Sequence, residues 1–83
     1  MEDYLATIKL FAGTFCPDGF MYCDGQSLSI NQNAALYSLL GNQYGGNPNQ
    51  TFNLPNLNKN PLIQGTSLKY IICVQGIYPS RPN

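Results

Sequence analysis

The side chains that could do chemistry in this chain are few and scattered. Cysteines stand at Cys16, Cys23 and Cys73, and carboxylates at Glu2, Asp3, Asp18 and Asp24. A thiol attacks only when a neighbouring base takes its proton, and histidine, the commonest base, is absent. Its absence also removes Ser-His-Asp triads, Cys-His dyads and most zinc sites, and no CxxC pair stands in for them. A lone Cys or Asp needs a partner that perturbs and orients it, and the pattern supplies none. The residues therefore predict no enzyme, no catalytic residue, no metal and no cofactor. Cys16 and Cys23 flank Pro17-Asp18-Gly19, a spacing that permits a hairpin disulfide. The competing reading makes Cys23 and Cys73 small buried hydrophobes on strands.

Tyr44-Gly45-Gly46-Asn47-Pro48-Asn49-Gln50 has the glycines of a phosphate loop but neither the Lys-Ser/Thr nor the helix start that would follow one. Tyr44, Gly45, Gly46, Asn47, Asn49 and Gln50 are instead candidates for contact with another copy or with a sugar. An aromatic ring stacks on a sugar face and amides hydrogen-bond to its hydroxyls. The plainer reading is a surface loop whose glycines let the backbone turn and whose Tyr44 packs inward.

Composition narrows the partners. Sixteen neutral amides, ten Asn and six Gln, outnumber eight charged residues, and the formal net charge is zero. The basic footprint of a nucleic-acid binder or a polybasic membrane anchor is missing. Apolar runs of four to six residues are too short to cross a bilayer. The acidic start Met1-Glu2-Asp3 leads into no apolar signal segment, which points to synthesis in a bacterial cytoplasm without a recognisable signal peptide. Eighty-three residues make one domain, 1–83, which buries only about 60–65% of its unfolded surface. Marginal domains of this size lean on disulfides, metals or oligomerisation. A surface solvated by amides carries little repulsion between copies, and near-zero net charge favours association. The expected partner is the chain itself.

The elements that must position these residues follow from periodicity and turn chemistry. Residues 6–12 alternate around Ile8 and Leu10 and read as a strand. Cys16-Pro17-Asp18-Gly19 and Asp24-Gly25 read as turns, with a short strand at Phe20-Met21-Tyr22-Cys23 folded back over the first. Ser29-Ile30-Asn31-Gln32 fits a capping box. Ala34, Ala35, Leu36, Leu39 and Leu40 then supply a helical stripe ended by Gly41, so one helix is predicted over about 30–40. Phe52 and Leu54 point one way before Pro55 stops the pairing. Residues 68–76 hold the most convincing strand, Leu68–Gln75, whose continuous apolar stretch suggests burial on both faces. The fold class is α+β, β-rich with one short helix.

Several of these motifs, taken in order, resemble a known family. Phe11-Ala12-Gly13, Pro17-Asp18-Gly19-Phe20 and Cys23-Asp24-Gly25-Gln26 are similar to the opening of a phage tail collar domain. Leu36-Tyr37-Ser38-Leu39-Leu40-Gly41, Tyr44-Gly45-Gly46 and Thr51-Phe52-Asn53-Leu54-Pro55-Asn56-Leu57 continue the likeness, so the motif-bearing part spans about 5–57. Tyr70-Ile71-Ile72 through Gly76-Ile77-Tyr78-Pro79-Ser80 resembles the closing strand, about 68–76, of the microcystin-dependent-protein-like branch. The resemblance implies a small structural module of phage tail fibres and tail-derived particles, often trimeric. It implies a location in a virion or an extracellular particle or filament, with other tail or fibre proteins as further partners.

Three departures qualify what carries over. Relatives place a long glycine-rich insertion before the closing strand, where this chain has only the ten residues 58–67. Receptor-binding tips of such fibres hold metal through histidine, which this chain lacks. Asn56 replaces a usual Asp, and no Arg-Gly follows Leu57. The leading expectation is a self-assembling structural protein of a tail, tail-derived particle, fibre or filament. The alternative is a small glycan-binding adhesin.

Overall fold

The computed structural model describes residues 3–80. Met1-Glu2 at the acidic start and the polar tail beyond Ser80 lie outside them. Five short strands, a 3-10 turn and one helix follow in the order β1 (Ile8–Phe11), β2 (Phe20–Tyr22), β3 (Ser27–Ser29), the turn Asn31–Asn33, α1 (Ala34–Leu40), β4 (Thr51–Asn53) and β5 (Lys69–Cys73). They form two small antiparallel sheets, ordered β1-β5-β2 and β3-β4, so the α+β expectation stands.

β5 occupies the centre of the larger sheet. Its Ile71, Ile72 and Cys73 are all buried in succession, so both faces are covered, as an unbroken apolar run requires. The position corrects one expectation: β2 does not fold back over β1, because β5 lies between them. The most apolar strand gains most from the central place, where water reaches neither side.

Register sorts the faces. Ile8 pairs with Ile72, Leu10 with Tyr70, and Met21 with Ile72, so these apolar side chains share one face. That face meets the main core of Cys23, Leu36, Leu40, Phe52, Leu54 and Ile72. Phe52 and Leu54 enter it together, and each of the four large buried side chains Phe52, Leu36, Leu54 and Ile72 contributes roughly 1.5–3 kcal/mol by leaving water. The opposite face, with Ile71 and Cys73, is flanked by Lys9, Phe11, Phe20 and Tyr22. Lys9 lies over the Phe20 ring at 5.6 Å and pairs with Asp3 at 2.9 Å.

Local geometry departs from sequence expectation at the element ends. The first strand starts at Ile8, not at Ala6, because Leu5-Ala6 forms a turn closed by the Thr7 N–H on the Tyr4 carbonyl at 3.2 Å. Ala6 takes φ 71°, donates to the Cys73 carbonyl at 2.9 Å, and so makes a bulge against β5. The Pro17 turn closes one residue later than read, with Gly19 at φ 84° and the Phe20 N–H on the Pro17 carbonyl at 3.1 Å. The helix divides: Asn33 leaves helical geometry at φ −135°, so a 3-10 turn precedes a seven-residue α1. Half of the capping box is present, the Gln32 N–H approaching Ser29 Oγ at 3.4 Å. Leu36 and Leu40 are buried and Leu39 partly so, whereas Ala34 and Ala35 face solvent. The closing strand ends at Cys73, and Ile77 then bridges in parallel to Tyr4.

Candidate functional site

The loop singled out for contact, residues 42–50, is a folded structure laid along the outer edge of β4. Asn42 begins it: its Nδ2 donates to the carbonyls of Thr51 at 3.0 Å and Gly45 at 3.3 Å, and its Oδ1 accepts from the Tyr37 hydroxyl at 2.9 Å. The Asn53 N–H returns to the Gly45 carbonyl at 3.0 Å. Asn47 closes the far end, accepting the Gln50 and Thr51 amides on its carbonyl and the Asn49 amide on Oδ1, while its own N–H reaches Thr51 Oγ1.

Gly45 and Gly46 both hold φ near 111°, where a side chain is strained. A Cβ on Gly46 would stand 2.7 Å from both the Phe52 Cα and the Thr51 carbonyl oxygen. These glycines therefore serve the close approach of loop to strand. Asn47 likewise serves the loop's own turn. Of the six candidates, Tyr44, Asn49 and Gln50 remain with exposed side chains that make no hydrogen bond among the described residues. Tyr44 does not pack inward; its ring is 44% exposed, because Asn42, not the tyrosine, anchors the loop.

All three cysteines are free thiols. Cys23 is buried in the main core while Cys16 lies half-buried on the loop before β2, so the bridge that their spacing permits is not formed. Burial, with the negative charges of Asp24 and Cys16 adding to it, pushes the Cys23 thiol from the ordinary 9.0 up to about 11. Burial raises Cys73 and Cys16 as well. A thiol held protonated is a poor nucleophile, which matches the reading of Cys23 and Cys73 as buried hydrophobes.

Sequence reasoning missed Asn58, the one buried polar residue among those described. Its Nδ2 donates to Asp24 Oδ1 at 3.0 Å and to the Tyr70 carbonyl at 3.1 Å, and its Oδ1 accepts the Tyr70 N–H at 2.6 Å. Its main chain bonds Cys23 and Gln64. One amide thus ties β5 to the turn after β2 and to the following loop. Nothing in the sequence separates it from nine other asparagines.

A cleft of about 390 Å³ opens between the 3-10 turn and the end of β5, lined by Leu5, Gln32, Asn33, Val74 and Gln75 among others. No titratable side chain lines it, and no group of three or more metal-ligating side chains occurs among the described residues. No helix of the described residues is long and apolar enough to cross a membrane.

Short strands in two small sheets and one brief helix make a small α+β domain. The family model of the phage tail collar domain matches residues 6–61, about two thirds of the chain, and the chain belongs to that family. No curated protein matches it. The matched span ends before β5, so the strand that centres the larger sheet lies outside it.

Proposed function

We propose that this chain is a self-associating structural component of a phage tail, a phage-tail-derived particle or an extracellular fibre, working through contacts with its own copies and with neighbouring tail proteins. The observation that carries the reading is family membership over residues 6–61. Zero net charge and an amide-rich surface support it, because copies meet without electrostatic cost. So does the row of apolar side chains left in water, among them Tyr4, Ile8, Leu10, Ile77 and Tyr78. Purified protein examined by electron microscopy and light scattering is expected to show discrete oligomers or fibres. A monodisperse monomer at high concentration would sink the proposal.

A second reading is favoured by one observation, an exposed Tyr44 ring on the same loop as exposed Asn49 and Gln50 amides, whose side chains have no hydrogen-bond partner among the described residues. Such a group suits a neutral carbohydrate. Binding on a glycan array, lost in a folded Tyr44→Ala variant, is the result expected of an adhesin; an array without hits would retire it.

A further inference from the structure

The outer edge of β1 is built differently from the other strand edges. The Cys73 N–H bonds the Thr7 carbonyl at 2.9 Å, which sets the phase of the ladder. With Lys9 opposite Ile71 and Phe11 opposite Lys69, the main-chain groups of Lys9 and Phe11 point into the sheet. Those of Ile8 and Leu10 therefore point out, and none of the four bonds to anything among the described residues. The flanking side chains are apolar and in water: Ile8 is 39% and Leu10 49% exposed, on the face that the core covers only farther in.

Among the described residues no other edge combines four free main-chain groups with apolar flanks. On β2 the Phe20 N–H is used by the Pro17 turn and the Tyr22 carbonyl accepts Gln26 Nε2 at 3.0 Å. On β4 the Thr51 N–H bonds the Asn47 carbonyl, the Thr51 carbonyl accepts Asn42 Nδ2, and the Asn53 N–H bonds the Gly45 carbonyl. On β3 the Ser29 carbonyl accepts Asn33 Nδ2; the Ser27 main chain and the Ser29 N–H stay free, but the flanking side chains are serines, which offer no apolar surface to bury. An open edge with two free donors and two free acceptors needs an extended backbone as its partner.

We propose that β1 pairs antiparallel with β1 of a second copy about a two-fold axis at Lys9, joining the two three-stranded sheets into one. This rests on the self-association reading above and deepens it by naming the surface. The edge is self-complementary: Ile8 of each copy meets Leu10 of the other, so all four outward groups are bonded and the apolar side chains cover one another. Lys9, the one charge on the strand, is held 2.9 Å from its own Asp3, so two lysines meeting at the axis each arrive partly neutralised. Because β2's edge is partly occupied, the pairing closes at two copies instead of running on as a filament through this sheet.

Residue-resolved amide exchange on the full chain at low and high concentration, with sedimentation in parallel, tests it. The Ile8 and Leu10 amides should exchange fast in the dilute protein and at least tenfold more slowly in the concentrated protein, while Lys9 and Phe11 stay protected in both. Ile8→Lys with Leu10→Lys should leave the dilute-state circular dichroism unchanged and raise the dimer midpoint at least tenfold. A monomer at every concentration overturns both this pairing and the self-association reading. An oligomer in which Ile8 and Leu10 exchange is insensitive to concentration overturns the pairing alone. A purely trimeric or filamentous species overturns the two-fold arrangement.

Discussion

Asn58 shows what a single amide can hold. Each of its side-chain bonds contributes on the order of 1 kcal/mol, and truncation would also leave the partly buried Tyr70 N–H without its acceptor. Asn58→Ala is expected to lower unfolding free energy by about 2–4 kcal/mol in urea titrations. Asn58→Asp, equal in size, should cost at least as much at neutral pH, since it forfeits both donor bonds and faces a carboxylate at 3.0 Å from Asp24. The cysteines offer a second residue-scale prediction. Iodoacetamide should label only Cys16 in the folded protein and all three thiols in denaturant, read by mass spectrometry. The Cys23 thiol also gives stability a pH dependence of known sign. Below 9.0 both folded and unfolded chains keep its proton; between 9.0 and about 11 the unfolded chain loses it first. Stability therefore falls as pH rises through that window, and a Cys23→Ala variant should fall less steeply.

At the scale of elements, two glycines separate backbone strain from steric clash. Gly41 ends α1 at φ 58° with open space where a Cβ would stand, its N–H on the Tyr37 carbonyl at 2.7 Å. Gly41→Ala should cost only the penalty of φ 58°, ψ −152°, a region almost exclusive to glycine, about 1–3 kcal/mol. Gly46 carries the same kind of penalty plus contacts at 2.7 Å to main-chain atoms of β4, which cannot swing aside. Gly46→Ala is expected to cost roughly 3 kcal/mol or more, or to detach the loop, seen as lost protection of the Asn53 amide. The turns, the apolar runs and the helix stop were legible because each rests on local chemistry: Pro17 before Gly19, Ile71-Ile72 unbroken, Gly41 at the helix end. β3 was not, since Ser27-Leu28-Ser29 is three residues long and becomes a strand only by pairing with β4. The break at Asn33 was also hidden, because the apolar stripe is compatible with an uninterrupted helix.

For the molecule as a whole, charge is a minor term. One ion pair, Asp3 with Lys9, stands among the described residues, half exposed on the lysine side and worth at most about 1 kcal/mol. Thermal stability and self-association should both change little between about 0.05 and 0.5 M salt, a range that would screen surface charges fully. Strong salt dependence in ultracentrifugation would contradict an assembly driven by backbone pairing and apolar contact. The candidate loop was legible as a surface loop. Its inward and outward side chains were not distinguishable, since Asn42, Asn47 and Tyr44 are alike in being polar residues next to glycine.

The sequence by itself determined that histidine is absent and, through collar motifs in order along about 5–57, pointed to the family that the model match over residues 6–61 shows. These are properties of composition and local spacing, and they survive any arrangement of the strands. Only the tertiary structure decided that β5 lies between β1 and β2, that Asn58 is the buried knot, and that β1 keeps a bare edge. Each depends on pairing between residues far apart in the chain. Burial of the most apolar strand selects the sheet order, and that order determines which backbone groups are left for a partner.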